Sequence, residues 1–230
     1  MNLETLKIIK KDQFRQNLNK YTFKAFYTLP KMDNPKILDV GCGTGVPTME
    51  LAMISEGEIV ATDIDQDALD YLHEKIKAKR LETRVKIMNR SLFDLDFPDE
   101  SFDIIWAEGS IFAIGFQKGL KDWRRLVKDN GFMVIHDPLQ DHQQKLDAIE
   151  KCGYELLDCF LIDHQVWWFS FYQPYEKHIK YLQEKYIDNP QIQQALKDEE
   201  NEIKMFKNNP QNNCSIFYIL KKIKHNLLIY

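Results

Sequence analysis

The chemistry most readily read from this chain lies in the run Ile37-Leu38-Asp39-Val40-Gly41-Cys42-Gly43-Thr44-Gly45. An apolar stretch ends in an acid, three alternating glycines follow, and Pro47 opens an apolar helical pattern. Glycine lacks a Cβ and tolerates φ > 0, so such a loop brings bare backbone against a ligand at a helix start. The spacing is G-x-G-x-G rather than the G-x-G-x-x-G that holds a pyrophosphate, which disfavours an NAD-dependent dehydrogenase. A ligand with an amino-acid tail would instead use Asp39 for its ammonium and the loop backbone for its carboxylate. Asp63 closes the next apolar run, where it can accept both hydroxyls of a ribose. Together these residues imply a nucleoside-bearing cofactor.

The elements that must position them alternate. Strands are expected at Lys36–Val40 and at residues 58–62, 85–88, 102–107, 132–136 and 156–162. Helices are expected between them at 46–55, with Pro47 in the first turn, and from the N-cap Asp65 with Leu69, Leu72 and Ile76 on one face. Phe116, Leu120, Trp123 and Val127 predict another, stopped by Asn130-Gly131, and 140–151 a fourth. The alternation predicts an α/β fold with a doubly wound, mostly parallel sheet. One domain is expected over 1–230, comprising an N-terminal helical cap (1–33, with one helix over 3–28), a core (34–163), a helical aromatic insertion (164–213) and a final strand (214–222). The Lys/His-rich tail beyond is expected to fray.

Composition narrows the function classes. The 230 residues are 44% hydrophobic and 29% charged, with a net charge of −4 and no basic stripe, so no nucleic-acid partner is expected. Eight Lys/Arg within residues 1–36 read as the solvated face of a helix. The cysteines at 42, 152, 159 and 214 show no C-x-x-C pair or metal-ligand spacing, so reduced thiols and no metal are expected. Without a secretory h-region or a membrane-length apolar run, a cytoplasmic location follows as an expectation.

The motifs resemble those of class I (Rossmann-like) S-adenosylmethionine-dependent methyltransferases of the small-molecule type. ILDVGCGTG matches the family's first motif and ATDID its ribose acid, while NRSLFDLDFPDESFD corresponds to its third region. The resemblance is good over about residues 35–137. It implies that Asp39 and the backbone of Gly41, Cys42 and Gly43 hold the methionine end of S-adenosyl-L-methionine, with Gly45 at the turn. Asp63 would take the ribose and Ile64 the adenine. Ser91 stands where an Asp commonly meets the adenine amino group, with Leu92 beside it. The implied sheet has seven strands in the order 3-2-1-4-5-7-6, the seventh antiparallel.

Near the carboxyl ends of strands four and five, Glu108, His136 and Asp137 are candidate general bases. Each has a plainer reading: Glu108 as a cofactor or turn-capping residue, His136 as a core histidine, Asp137 as a turn residue. The run Val166-Trp167-Trp168-Phe169-Ser170-Phe171-Tyr172 reads either as insertion core or as a lid, with Tyr21, Trp167, Trp168 and Tyr172 as candidate contacts to an apolar or cationic acceptor. The expected function is methyl transfer to a small or medium-sized acceptor by in-line displacement. The alternative is a catalytically degenerate fold acting as a cofactor-binding or scaffold subunit. A small-molecule acceptor is the expected partner, and a homodimer is left open.

Overall fold

The computed structural model describes residues 1–224, so the expectation for the tail falls mostly outside the described residues. Seven strands form one sheet in the order β3-β2-β1-β4-β5-β7-β6. They are β1 (Lys36–Val40), β2 (Glu58–Asp63), β3 (Val85–Asn89), β4 (Phe102–Glu108), β5 (Val127–Pro138), β6 (Tyr154–Ile162) and β7 (Ser215–Lys222). All neighbours pair in parallel except β7, which runs antiparallel to β5 and β6. The central strands read as unbroken apolar runs because both faces are covered. Ile37, Ile59, Ile104 and Val134 face one cluster; Leu38, Ile105, Met133 and Ile135 face the other.

The first cluster is closed by α3 (Asn19–Thr28), α4 (Val46–Ile54) and α5 (Gln66–Ala78) through Ala25, Leu51 and Leu72. Pro47 lies in the first turn of α4, and Asp65 caps α5 by accepting from Ala68 N at 3.1 Å. The second is closed by α6 (Phe116–Trp123) and α7 (His142–Lys151) through Leu120, Trp123 and Ala148. A third cluster joins the N-terminal segment to the insertion through Ile9, Leu18, Phe171, Tyr175 and Leu196. No described helix is long and apolar enough to cross a membrane.

Three expectations need correction. The helix over 3–28 is broken into α1 (Leu3–Ile9), α2 (Asp12–Arg15), a 3₁₀ turn (Gln16–Leu18) and α3. Lys10 adopts φ 53°, ψ 38° at the first break, which turns Asp12 toward the domain. Val127 is not helical. A 3₁₀ turn over Arg124–Leu126 ends the helix, and Val127 pairs with Phe102 in β5. Asn130-Gly131 accordingly forms a bulge within β5, where the register against β4 shifts, rather than a helix stop. The insertion is a continuous helical stretch of α8 (His164–Trp167), a π segment (Trp168–Tyr172) and α9 (Gln173–Lys185), followed by α10 (Pro190–Asn208). Pro174, which lacks an N–H, explains the π segment, since its i−4 carbonyl at Ser170 accepts instead from Asn17 Nδ2 at 2.8 Å.

Candidate functional site

The glycine loop leaves β1 and is tied to β2 by Gly41 N and Cys42 N, which donate to the Thr62 carbonyl at 2.8 and 3.0 Å. Gly41, Gly43 and Gly45 all have positive φ, at 70°, 51° and 80°. What a side chain would meet differs at each. A Cβ on Gly41 would come within 2.5 Å of Ser110 Cβ, and one on Gly45 would collide with the Leu72 side chain, whereas one on Gly43 meets nothing within 4 Å. The outer two glycines are therefore required by packing. The middle one holds space open, a cradle that a Cβ would fill.

Two acids flank that space. Asp63 accepts from Gly43 N at 2.7 Å and from Asp65 N at 3.0 Å, which fixes its carboxylate beside the loop. Asp39 is buried, and Thr48 Oγ1 donates to it at 2.6 Å. Burial pushes its carboxyl up to about 7; the Thr48 bond opposes this, and the charges of Glu108 and Asp63 add to it. The folded ligand-free chain thus keeps a proton that the unfolded chain loses above about pH 4. Its stability should fall as pH rises from about 4 to about 7, and the fall should be shallower in Asp39→Asn. Parallel pH dependences of the melting temperature in the two proteins would contradict this. Burial also raises the Cys42 thiol well above its ordinary value, so it stays protonated.

The N-terminal segment is clamped over the loop by charged residues, among them Arg15, which was expected on a solvated face. Asp12 pairs with Lys75, accepts from Thr44 Oγ1 at 2.7 Å and is 8% exposed. Arg15 Nη2 donates to Glu108 Oε2 at 2.8 Å, while Glu108 Oε1 accepts from Thr22 Oγ1 and Trp106 Nε1, both at 2.8 Å. Lys11 reaches the insertion instead, with Glu199 Oε2 at 2.8 Å and Glu202 Oε2 at 2.5 Å. One signal for Arg15 was present: it is in phase with Leu18, Thr22 and Ala25, the inward face of the segment.

Beyond Glu108 lies a cavity of about 580 Å³ bounded by Arg15, Phe112, His136, Asp137, Trp167 and Tyr172. His136 is buried, stacked on Phe217 with ring centres 4.4 Å apart, and burial and the Arg15 charge hold it well below the usual imidazole range. Its Nε2 lies 2.7 Å from Ser215 Oγ, which also accepts from Trp167 Nε1 at 2.8 Å. With the Ser215 hydroxyl donating onward to Nε2, Ser215 links the imidazole to the Trp167 indole and holds Trp167 in the cavity wall.

Of the expected acceptor contacts, Trp167 and Tyr172 line this cavity. Tyr21 and Trp168 do not: Tyr21 packs beside Phe160, and Trp168 stacks on Phe206 against a separate cavity, because the π segment turns adjacent side chains to different sides. At the adenine end, Ile64 is 69% exposed just past β2. Ser91 Oγ accepts from Phe93 N at 3.2 Å, and the Leu92 carbonyl accepts from Trp123 Nε1 at 3.1 Å.

Comparison with known proteins agrees with this geometry. A methyltransferase-domain family model matches residues 37–131. A protein of Haemophilus influenzae described only as uncharacterized is 30% identical over 122 residues, covering 50% of this chain and 49% of that protein. Methyltransferase GfsG of Streptomyces halstedii is 29% identical over 103 residues, covering 44% and 37%. The aligned stretch thus spans less than half the length of these two relatives. Among solved structures, the [4+2]-cyclase SpnF superposes with a TM-score of 0.76 at 17% identity, covering 89% of this chain and 80% of that one. A methyltransferase from Thiobacillus denitrificans, solved with S-adenosyl-L-homocysteine, gives 0.70 at 14% identity, covering 87% and 90%. The strand order and the glycine loop with its two acids agree with the methyltransferase-domain match over residues 37–131 and with the fold of these solved structures.

Proposed function

We propose that the chain is an S-adenosylmethionine-dependent methyltransferase acting on a small or medium-sized acceptor by in-line displacement. The open space over Gly43 carries this reading, because a Cβ at that position would meet no protein atom within 4 Å and internal packing gives no reason for leaving it out. Asp39 and the backbone carbonyls of the Gly41, Cys42 and Gly43 loop, whose N–H groups are engaged by Thr62 and Asp63, would hold the ammonium of the amino-acid end, Asp63 the ribose, and Ile64, Ser91 and Leu92 the adenine. A buried carboxyl raised to about 7 suits an incoming ammonium, which would stabilise its charged form. The bound cofactor would supply an activated methyl group on a sulfonium. The chain's own task is then to orient the acceptor and exclude water, which supplies much of the acceleration in such reactions.

The role of Glu108 in this reading is to hold Arg15 and the N-terminal segment at the junction of cofactor site and cavity. His136 fixes the Trp167 wall. The complex of a structural neighbour with S-adenosyl-L-homocysteine supports the choice of ligand. Calorimetric titration with S-adenosylhomocysteine is the test, and absence of binding at high micromolar concentration overturns the reading. Asp63→Ala should weaken that binding by roughly 1.5–3 kcal/mol, the range for hydrogen bonds to a charged group. An unchanged dissociation constant would remove Asp63 from the ribose site.

A second reading, a fold that binds the cofactor without transferring methyl, is favoured by one observation. Three donors converge on Glu108, so both of its oxygens are already engaged. The cyclase among the structural neighbours supports it as well. Release of S-adenosylhomocysteine during incubation with acceptor panels would decide against it.

A further inference from the structure

Three carboxylates border the large cavity, and two are already engaged. Glu108 accepts from Arg15, Thr22 and Trp106. Glu202 lies 2.5 Å from Lys11 Nζ and accepts from Tyr172 Oη at 3.3 Å. The third, Asp137, differs. It stands near the end of β5, 3% exposed, with Oδ2 2.5 Å from Lys145 Nζ. Its Oδ1 is buried and has no hydrogen-bond partner among the described residues. Lys145 does not relieve this, since its ammonium is turned to Oδ2 and to the Pro138 carbonyl at 2.6 Å. A buried carboxylate oxygen without a protein donor is costly, and on a residue that borders a cavity it can be satisfied by a donor entering there.

Asp137 also borders a second cavity, of about 510 Å³, on the side of Lys145, Gln140, Gln144 and Phe116. The residue therefore stands between the aromatic-walled cavity and a polar one across β5. We propose that Asp137 Oδ1 binds the N–H or O–H of the methyl acceptor and receives its proton, which restricts acceptors to amines and hydroxyl compounds; this rests on the methyltransferase reading above. As the acceptor's lone pair bonds to the methyl carbon, the methyl–sulfur electron pair stays on the donor's sulfur, and the acceptor's proton passes to Oδ1. The polar cavity then gives that proton a route away from the aromatic walls. Burial, opposed by Lys145, raises the Asp137 carboxyl above its ordinary range, which suits a proton-accepting role.

The test uses binding, so the natural acceptor need not be known. Benzyl alcohol, benzylamine and benzyl methyl ether match the aromatic walls and differ in whether they carry a donor. They are titrated by NMR into the 230-residue chain with S-adenosylhomocysteine present. The alcohol and amine should bind about 10-fold or more tightly than the ether, as expected for a hydrogen bond to a charged group. In Asp137→Asn, and in Asp137→Ser should the first variant misfold, that preference should fall to about 3-fold or less. Equal affinity for alcohol and ether, a preference unchanged in the variants, or no probe bound at on the order of 20 mM overturns the proposal. Binding of S-adenosylhomocysteine is measured in the same samples. Its failure rejects the methyltransferase reading, while the alcohol-to-ether ratio without it still reports on Asp137.

Discussion

Glu108→Ala is expected to lower the stability of the chain by about 3–5 kcal/mol, the cost of removing one partner from a buried ion pair. The Glu108 side chain is 1% exposed and Arg15 20%, so deleting the carboxylate leaves a guanidinium with little water to replace it. Two more donors lose their acceptor, Trp106 Nε1 and Thr22 Oγ1, on residues that are 0% and 1% exposed. A domain of ordinary stability has only about 5–15 kcal/mol to lose. Glu108→Gln should be milder, because an amide oxygen can still accept from Trp106 and Thr22 while the charge opposite Arg15 is gone. Urea denaturation of both variants measures the ranking. The same pair separates a structural role from a proton-accepting one. A structural Glu108 predicts that losses in the two variants track stability and that amide exchange quickens over residues 11–22. A base predicts full loss of turnover in Glu108→Gln with the stability of the parent.

That junction was also where the sequence was least legible. The strands of the core declare themselves because strands buried on both faces are apolar throughout, and the loop because its glycines and acids have few other uses. The same reading put Lys11 and Arg15 on a solvated face, since a charge in an amphipathic segment is usually in water. Nothing in Lys10 announces a left-handed residue, yet that one conformation turns Asp12 from solvent to the glycine loop. Val127 misled for the opposite reason. Its spacing from Phe116, Leu120 and Trp123 is helical, and only its pairing with Phe102 across the sheet makes it a strand residue. The aromatic run was legible as two alternatives, and the structure combines them. Trp167, Phe171 and Tyr172 line the cavity while also packing on the third cluster, and Trp168 stacks on Phe206 away from it. A π segment set by a proline eight residues after Val166 is not a periodicity that side-chain type reveals.

The glycine loop allows the sharpest separation of fold from function. Gly43→Val should abolish detectable binding of S-adenosylhomocysteine while the protein stays folded. The substituted Cβ would meet no protein atom within 4 Å, so the injury falls on the ligand's space. The fold bears only the cost of a β-branched residue at φ 51°, about 1–2 kcal/mol. Gly45→Val should behave in the reverse order. Its φ of 80° carries similar strain, and its Cβ would also drive into Leu72, a fully buried residue of α5. Overpacking of that kind costs typically 1–3 kcal/mol more, so Gly45→Val should melt well below Gly43→Val. Thermal melts and calorimetric titrations on the two proteins give the comparison. If Gly43→Val binds as tightly as the parent, the space above the loop is not where the cofactor lies. If both variants lose stability equally and binding only in proportion, the loop's glycines serve packing alone, and the methyltransferase reading loses the observation on which it stands.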